Sequence, residues 1–429
     1  MSRCPYCNGE LFFVPQHAQW YCPRCQIYHV PSPQHPEYKE WGLRRKAALA
    51  LIVVAIVCLA AFSLFVLRGR EERRSIPRPT IYEIAEIRGL DVMERVPYRY
   101  VSREDLNESL DIEGEWMERT KWGLVSLLLL DRDDNLTQLY RDSYTSLVLG
   151  YYDMWSKEIV IVEGAHSLED KLTLAHELTH ALQDQHFDLT SFMWAVSWDE
   201  ELARRALVEG DAVLTEFRYF ETLPEAEQEM IEEGWEEAEY PTIPYGIMEY
   251  LAFPYIYGVN FTLSLFVEGN MTWEKINGAF SEPPASTEQV MHIEKYHDRE
   301  LPVDVDIAME PAGMPLVMED TMGEFMVYAM LKHYIPFSMA YNAAEGWGGD
   351  RHLCYANDTD FISIFKIVWD TPADASEFYS AYRYWLTELP PDYAEVVSSN
   401  SLRIGIQGCS TTIYYSSDPR IIDGLEGQT

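Results

Sequence analysis

The chain has 429 residues, of which 47% are hydrophobic and 13% aromatic, and its formal net charge is −37. This apolar content can bury a large core, which excludes disorder over the whole chain, and the length allows two or three domains. The acid excess excludes nucleic acid as a partner of the whole protein, because a polyanion would be repelled.

The charge is unevenly distributed. Residues 1–78 contain 11 Lys+Arg and 5 Asp+Glu, a net charge of +6, whereas residues 79–429 contain 22 and 65, a net charge of −43. We therefore expect the two parts of the chain to face different surroundings.

Two cysteine pairs lie within the first 40 residues, Cys4-Pro-Tyr-Cys7 and Cys22-Pro-Arg-Cys25. Two such knuckles are typical of a zinc ribbon, in which four thiolates hold one tetrahedral Zn²⁺. We predict a structural zinc at these four cysteines. Thiolate sites of this kind persist best in a reducing cytosol, and we expect the ribbon surface to be available to a protein partner.

A long uncharged segment follows the ribbon. Residues 47–67 are 21 consecutive residues without a charge, with basic residues on both flanks. At ~1.5 Å per residue, a helix of this length crosses a ~30 Å hydrocarbon core. We predict a single transmembrane helix within residues 41–70 that contacts the lipid bilayer. A buried core helix and a cleaved signal peptide are the alternatives. Residues 71–100 are predicted to be a stalk, because two prolines interrupt their start.

The orientation of this span rests on features that follow it, because basic residues lie on both sides. Five of the eight asparagines after the span belong to Asn-x-Ser/Thr sequons, well above the roughly one in eight expected by chance. Cys354 and Cys409 could form a disulfide if this part is exported. We predict a single-pass cell-membrane protein with a cytoplasmic N-terminus and an extracellular C-terminal body. The sequon asparagines are Asn107, Asn135, Asn260, Asn270 and Asn357.

Residues 147–153 and 158–163 are predicted strands, and residues 168–186 a helix with an apolar stripe and a capping box at Ser167 and Asp170. This helix contains the string His176-Glu177-Leu178-Thr179-His180. Histidines four residues apart lie on one helix face, so both imidazoles can reach one ion, while Glu177 lies beside them. The spacing predicts a zinc hydrolase site, and the alternative is a histidine pair on an amphipathic helix.

Two residues are candidates for the third metal ligand. His186 stands where the pattern H-E-x-x-H-x-x-G-x-x-H has its last histidine, but that pattern needs glycine where this chain has Gln183, a good helix former. In a continuous helix His186 would lie ~15 Å along the axis from His176. Glu209 lies in a second predicted helix, residues 199–220, whose carboxylate can complete the site if the two helices are antiparallel. We therefore prefer Glu209.

The pair of helices resembles the gluzincin group of zinc metallopeptidases. Similarity to a family of uncharacterised prokaryotic metallopeptidases extends over residues 144–296, with a weaker match at residues 346–351. It rests on the segments L-A-H-E-L-T-H-A-L-Q-D-Q-H-F-D-L, A-L-V-E-G-D-A and P-P-A-S-T-E-Q-V-M-H-I-E-K-Y. One departure is Ile293, where the family pattern has proline. The resemblance implies a zincin-like fold and action on a peptide or protein substrate.

The residue types indicate how such a site would work. His176, His180 and Glu209 would hold a catalytic Zn²⁺ that acidifies a water molecule and polarises the scissile carbonyl, and Glu177 would be the general base. By analogy, an edge strand would pair with the substrate backbone. Asp211 is an expected partner of a ligand histidine.

An oxyanion donor is also needed. A capping box at Ser286 and Gln289 predicts a helix start, so His292 and Tyr296, four residues apart, would share a face of that helix. We assign the donor role to His292, with Tyr296 as the alternative. The other interpretation of His292 is a histidine buried between helices.

The C-terminal third is predicted to contain helices over residues 321–333 and 372–388, a strand over 361–369 and further strand structure over 402–415. Residues 346–350 are predicted to be a tight loop. The fold class is therefore α+β: a zinc ribbon (1–40), a transmembrane segment (41–70), a stalk (71–100), a zincin-like peptidase domain (101–305) and an α+β C-terminal domain (306–429).

The function expected from these features is that of a membrane-anchored zinc metallopeptidase with one catalytic and one structural Zn²⁺. One alternative is a catalytically inactive zincin-fold membrane sensor or binding protein. Another is a structural envelope protein whose metal only stabilises the fold.

Overall fold

The computed structural model describes residues 12–14, 19–22, 27–29, 79–110, 114–162, 169–236, 243–311 and 313–426. The chain divides into two units, Met1–Val53 and Val54–Thr429. In the first unit the strands β1 (Phe12–Val14), β2 (Gln19–Cys22) and β3 (Ile27–His29) form an antiparallel sheet in the order β1-β2-β3. The predicted ligands Cys4, Cys7 and Cys25 lie outside the described residues, as does the predicted span 47–67.

The second unit is a mixed α+β structure. Its strands are β4 (Tyr98–Val101), β5 (Gly150–Asp153), β6 (Glu158–Val162), β7 (Leu316–Asp320), β8 (Trp347–Ala356), β9 (Phe361–Trp369), β10 (Leu402–Gln407) and β11 (Ser410–Ser416). Its helices are α1 (Ile81–Arg88), α2 (Arg103–Ser109), α3 (Glu115–Ser126), α4 (Leu136–Leu147), α5 (Glu169–Phe187), α6 (Leu189–Phe192), α7 (Trp198–Phe220), α8 (Glu225–Glu236), α9 (Tyr245–Glu268), α10 (Glu274–Ser281), α11 (Thr287–Met291), α12 (Ile293–Asp298), α13 (Gly323–Lys332), α14 (Phe337–Ala344), α15 (Pro372–Glu388), α16 (Ala394–Ser398) and α17 (Pro419–Glu426).

The larger sheet contains five antiparallel strands in the order β10-β11-β9-β8-β7. The predicted strand 361–369 is confirmed as β9, and residues 402–415 form the hairpin β10–β11. Helix α15 packs on β9, β10 and β11. It begins where the sequence predicts, because Thr371 and Asp374 form a capping box before Pro372.

The smaller sheet, in the order β4-β6-β5, includes residues that were predicted to be a stalk. A capping box at Thr80 and Glu83 starts α1, and Ile84 is fully buried in a core shared with α5. β4 then pairs in parallel with β6. The stalk prediction is therefore wrong for residues 81–100, because the chain joins the apolar core directly after the prolines.

Helices α7 and α9 cross at the centre of the second unit. A Cβ atom on Gly258 would lie 2.1 Å from the carbonyl oxygen of Ala206, and one on Gly210 would lie 2.2 Å from Gly258. Only glycine at both positions permits this approach. By length and composition α9 is apolar enough to cross a membrane, but half of its apolar window is buried in this fold.

The regions 101–305 and 306–429 share one core. The rings of Phe253 in α9 and Phe325 in α13 lie 4.2 Å apart. Helix α13 has no side-chain hydrogen bond from its own N-cap residue, Met322. Instead, the buried carboxylate of Asp350 accepts hydrogen bonds from the backbone N–H groups of Met322 and Gly323. The helix start is therefore capped from a distant strand.

Two C-terminal predictions are wrong. Residues 347–350 are the start of β8 rather than a loop, and a bulge there brings Gly348 close enough to accept a hydrogen bond from Val303. Cys354 and Cys409 are free thiols. Cys354 pairs with Ser363 of β9. The backbone carbonyl of Cys409 accepts a hydrogen bond from the N–H group of Trp369, which lies six residues further along β9. That separation is ~20 Å, whereas a disulfide needs Cα atoms within ~7 Å.

Candidate metal centre

The site lies between α5 and α7. The predicted apolar stripe of α5 is buried in a core to which α7 also contributes, and the side chains of the histidine-bearing face contact α7. The contacts between the two helices run in opposite directions, since His176 reaches Glu216 whereas Gln183 reaches Val208. The two helices are therefore antiparallel, as the third-ligand prediction requires.

The side chains of His176, His180 and Glu209 converge. One potential ligand atom from each residue lies within 4.8 Å of the others. The Glu209 Oε2 atom is 3.0 Å from Nε2 of His176 and 3.4 Å from Nε2 of His180. Both histidines thus turn the same ring nitrogen towards one carboxylate oxygen.

The other ring nitrogen of each histidine has its own acceptor. His176 Nδ1 lies 3.2 Å from Glu216 Oε2, and His180 Nδ1 lies 2.9 Å from Gln183 Oε1. Acceptors at Nδ1 hold the proton there and leave Nε2 for a metal, which is the usual arrangement around ligand histidines. Glu216 and Gln183 were not predicted to have this role.

Asp211 contacts the site through Gln183 and touches neither histidine. The Gln183 Nε2 group donates to Asp211 Oδ2 at 2.8 Å and to the Val208 carbonyl at 2.9 Å, which fixes the amide with its oxygen towards His180. The other carboxylate oxygen of Asp211 is 2.6 Å from Arg88 Nε, and both side chains are fully buried. Asp211 was expected to contact a ligand histidine directly, but it supports His180 only through Gln183.

The electrostatics of the three residues are those of a cation site. Burial acts to lower the pKa of His176, but Glu209 and Glu216 raise this pKa well above its ordinary value. The pKa of His180 is also raised, because Glu209 outweighs burial. Burial acts to raise the pKa of Glu209, but the two imidazoles hold it well below its usual range. Without a metal, imidazolium protons supply the positive charge that this buried carboxylate needs.

Glu177 lies next to these ligands and is held from the smaller sheet. Its Oε2 atom accepts a 2.7 Å hydrogen bond from the backbone N–H of Tyr152 in β5, which is an edge strand. The Tyr152 hydroxyl donates to Asp184 of α5 at 2.7 Å, which fixes the strand against the helix. Burial raises the pKa of Glu177, although both histidines oppose this. A buried carboxylate with one tethered oxygen is well placed to accept a proton.

Tyr255 is a member of the site that sequence reasoning missed. Its ring stacks on His176 with centroids 6.1 Å apart, and burial followed by the charge of Glu209 raises the pKa of its hydroxyl well above the ordinary value. Glu209 therefore lies within electrostatic reach of the Tyr255 hydroxyl. Tyr255 belongs to α9, which was not predicted, and the α7–α9 crossing brings it to the site. In the sequence, the glycines Gly210 and Gly258 are the signal that could have predicted the close contact between α7 and α9.

The other candidates lie elsewhere. His186 Nε2 lies 2.8 Å from the backbone carbonyl of Asp91, away from the converging ligands. His292 interrupts the predicted helix, since it ends α11 and precedes α12. Its Nε2 atom is 2.8 Å from the buried Glu324 Oε1. In the described residues, no hydrogen bond, ion pair or ring contact joins His292 to the H-E-x-x-H residues or to Glu209.

We expected Tyr296 and His292 to share a helix face, but the structure does not place them on one helix. The chain at His292 is extended, with φ −126° and ψ 94°, and Ile293 starts the next helix at a position that suits proline. The Tyr296 hydroxyl donates to the Glu282 carbonyl at 2.8 Å. The Tyr296 hydroxyl is thus used in a hydrogen bond that stabilises the fold.

A second carboxylate group, Glu288, Glu300 and Asp370, could also face a cation. The ammonium group of Lys295 contacts all three, at 3.3 Å from Glu288 and 2.7 Å from Asp370. This lysine supplies the positive charge, so the cluster is a salt-bridge network rather than a metal site.

Comparison with known protein families finds a match in the C-terminal part of the chain. Residues 314–418 match a domain of unknown function (DUF8575). The match covers the five-stranded sheet from β7 to β11 and excludes α5 and α7. No curated protein and no solved structure matches the chain.

Proposed function

We propose that this protein is a membrane-anchored zinc metallopeptidase whose catalytic centre consists of His176, Glu177, His180 and Glu209. One observation carries the proposal: two histidine Nε2 atoms and a carboxylate oxygen converge, and a second buried carboxylate lies beside them. The gluzincin-like and zincin-like character of the fold belongs to this proposal.

The donor set suits Zn²⁺, which takes imidazole nitrogen and carboxylate oxygen ligands. His176, His180 and Glu209 would hold it, with the Nδ1 atoms already bonded to Glu216 and Gln183. When bound, the ion would supply Lewis acidity that acidifies water and polarises a peptide carbonyl.

The chain's own residues would handle the protons. Glu177 would accept a proton at its carboxylate, while the Tyr152 N–H keeps the group oriented, and would then release that proton to the leaving amine. Tyr255 is our choice for the oxyanion donor, because its ring contacts His176 and its hydroxyl lies within electrostatic reach of Glu209. We propose that β5, an edge strand, aligns the substrate backbone.

The structural zinc at Cys4, Cys7, Cys22 and Cys25, the transmembrane span 47–67 and the extracellular position of the second unit are further parts of the proposal. They rest on the sequence. The described asparagines of all five sequons are exposed, which glycosylation of an exported surface requires. The three short strands of the first unit are compatible with a ribbon.

The proposal is tested with Glu177→Gln in the full chain, purified in detergent. We expect zinc content to be unchanged and cleavage of unfolded casein to fall by at least about 10³-fold, since the proton acceptor is lost. Glu229→Gln, an exposed change in α8, is the matched control and should retain activity. Equal cleavage by Glu177→Gln and wild type would refute the mechanism. Zinc binding without any cleavage by wild type would favour the inactive sensor.

A further inference from the structure

An arginine lies on the same face of α7 as the proposed ligand Glu209. Arg205 precedes Glu209 by four residues in the continuous helix Trp198–Phe220, so the two side chains are neighbours ~6 Å apart along the axis. Its Nη1 group donates to the Tyr250 hydroxyl at 3.0 Å, and its guanidinium lies 5.5 Å from the centroid of that ring. Both side chains are partly buried and retain some exposure to solvent.

Two stacked tyrosines of α4 continue this surface. The rings of Tyr140 and Tyr144 are 6.2 Å apart and nearly parallel. Tyr144 lies within electrostatic reach of Glu177 and Glu209, whereas Tyr140 lies within reach of Arg205. The two tyrosines therefore extend from the carboxylates of the metal centre towards Arg205.

The charge of Arg205 is not neutralised by a direct partner. Burial acts against its charge, while the phenols of Tyr250 and Tyr140 and the acids Glu201 and Glu209 raise its pKa. Yet no carboxylate of the described residues lies within 4.0 Å of its nitrogen atoms. Its neighbour Arg204, in contrast, pairs with Glu200 at 2.7 Å. A planar guanidinium with free donors is suited to bidentate contact with a carboxylate.

We propose that Arg205, with the hydroxyls of Tyr250 and Tyr140, forms a carboxylate-binding subsite that selects peptides carrying a carboxylate close to the scissile bond. This inference rests on the proposed peptidase function. Because Arg205 lies one helical turn from Glu209, a carboxylate bound there belongs to a residue close to the bond that is cleaved. The carboxylate can belong to the peptide's C-terminus or to an Asp or Glu side chain. Arg205 is a specificity residue in this account.

The test uses the full chain with zinc bound and four acetylated hexapeptides of otherwise identical sequence. They have a free C-terminus, a C-terminal amide, a C-terminal amide with one internal Glu, and the same with Gln. We expect kcat/KM to be at least about tenfold higher for one carboxylate peptide than for its neutral counterpart, the gain of a charge-assisted hydrogen bond. Whichever pair shows the ratio identifies the source of the carboxylate.

Variants then assign the ratio to Arg205. Arg205→Gln should reduce the kcat/KM ratio to near one, Arg205→Lys should retain part of it, and the matched control Arg204→Gln should leave it unchanged.

The same ratio is measured as Kd by calorimetry in the Glu177→Gln background, where no peptide is consumed. Absence of cleavage would sink the peptidase function while the Kd ratio still reports on the subsite. A ratio near one for both peptide pairs in wild type, or one that survives in Arg205→Gln, overturns the subsite. Loss of zinc from Arg205→Gln with the ratio unchanged also overturns it.

Discussion

Arg88 of α1 and Asp211 of α7 form a fully buried ion pair, with Nε and Oδ1 2.6 Å apart. The Arg88 Nη2 group also donates to Asn277, and the guanidinium lies 4.6 Å from the ring centroid of Trp273. Asp211 in turn orients Gln183, the partner of His180. The segment that follows the proposed membrane span is thereby connected to a proposed metal ligand.

Removal of one partner should leave the other charge buried. We expect Arg88→Met to lower the free energy of unfolding by about 3–5 kcal/mol, as for other broken buried pairs. Urea denaturation followed by tryptophan fluorescence measures this. The control is Arg99→Met, whose pair with Glu158 is largely accessible to solvent and spans 3.5 Å, and whose loss should cost less than about 1 kcal/mol. Similar values for the two variants would contradict the role of Arg88.

The crossing of α7 and α9 should tolerate no side chain at Gly258. A methyl group there would meet the Ala206 carbonyl and separate the helices that hold Glu209 and Tyr255. We expect Gly258→Ala to cost at least about 1–3 kcal/mol of stability and to weaken zinc binding. Gly278→Ala is the control, since nothing lies within 4 Å of its Cβ position. Wild-type zinc affinity and melting temperature for Gly258→Ala would rule out a tight crossing.

The oxyanion donor can be distinguished by a pair of variants. Tyr255→Phe should reduce kcat about 10²–10³-fold while zinc is retained, the usual effect of losing one donor. His292→Leu should leave kcat near wild type but lower stability by about 1–3 kcal/mol, because Glu324 loses its buried hydrogen-bond partner. Steady-state kinetics and thermal unfolding of both variants decide the matter. The opposite pattern would restore His292 to the catalytic role.

Stability should fall as the pH rises, in part because of Asp199. This carboxyl group is buried; burial raises its pKa to about 8, although Thr287 donates two hydrogen bonds to it. Its unfolded pKa is about 3.9, so its contribution is complete below about pH 4 and is lost by about pH 8. Asp199→Asn should therefore lose less unfolding free energy between pH 5 and pH 8 than wild type. Urea denaturation at both pH values measures the difference. An unchanged pH dependence, matching the exposed control Asp298→Asn, would exclude this assignment.

Local sequence signals predicted much of this structure. The apolar stripe and the histidine spacing located α5, the Ser197 side chain caps α7 by accepting from Glu200, and Thr371 caps α15. The choice of Glu209 over His186 followed from helical geometry alone, since Gln183 continues the helix. These features depend on residues within one or two turns of each other, so they can be predicted from the sequence.

The features that were missed depend on distant residues. Asp350 caps α13 from 27 residues away, Gly348 is held by Val303, and Tyr255 reaches His176 only because two glycines let α7 and α9 approach. Glycine in a helix predicts low helix propensity, and the close contact that explains it appears only once the partner helix is known.

The central claim is that His176, His180 and Glu209 hold a metal that His186 does not touch. The most direct measurement is zinc per chain, by mass spectrometry of the full protein after dialysis against a chelator. We predict two zinc ions for wild type and His186→Ala, and one for His180→Ala and Glu209→Ala, in which the ribbon site is left. Two zinc ions in Glu209→Ala together with one in His186→Ala would contradict the account.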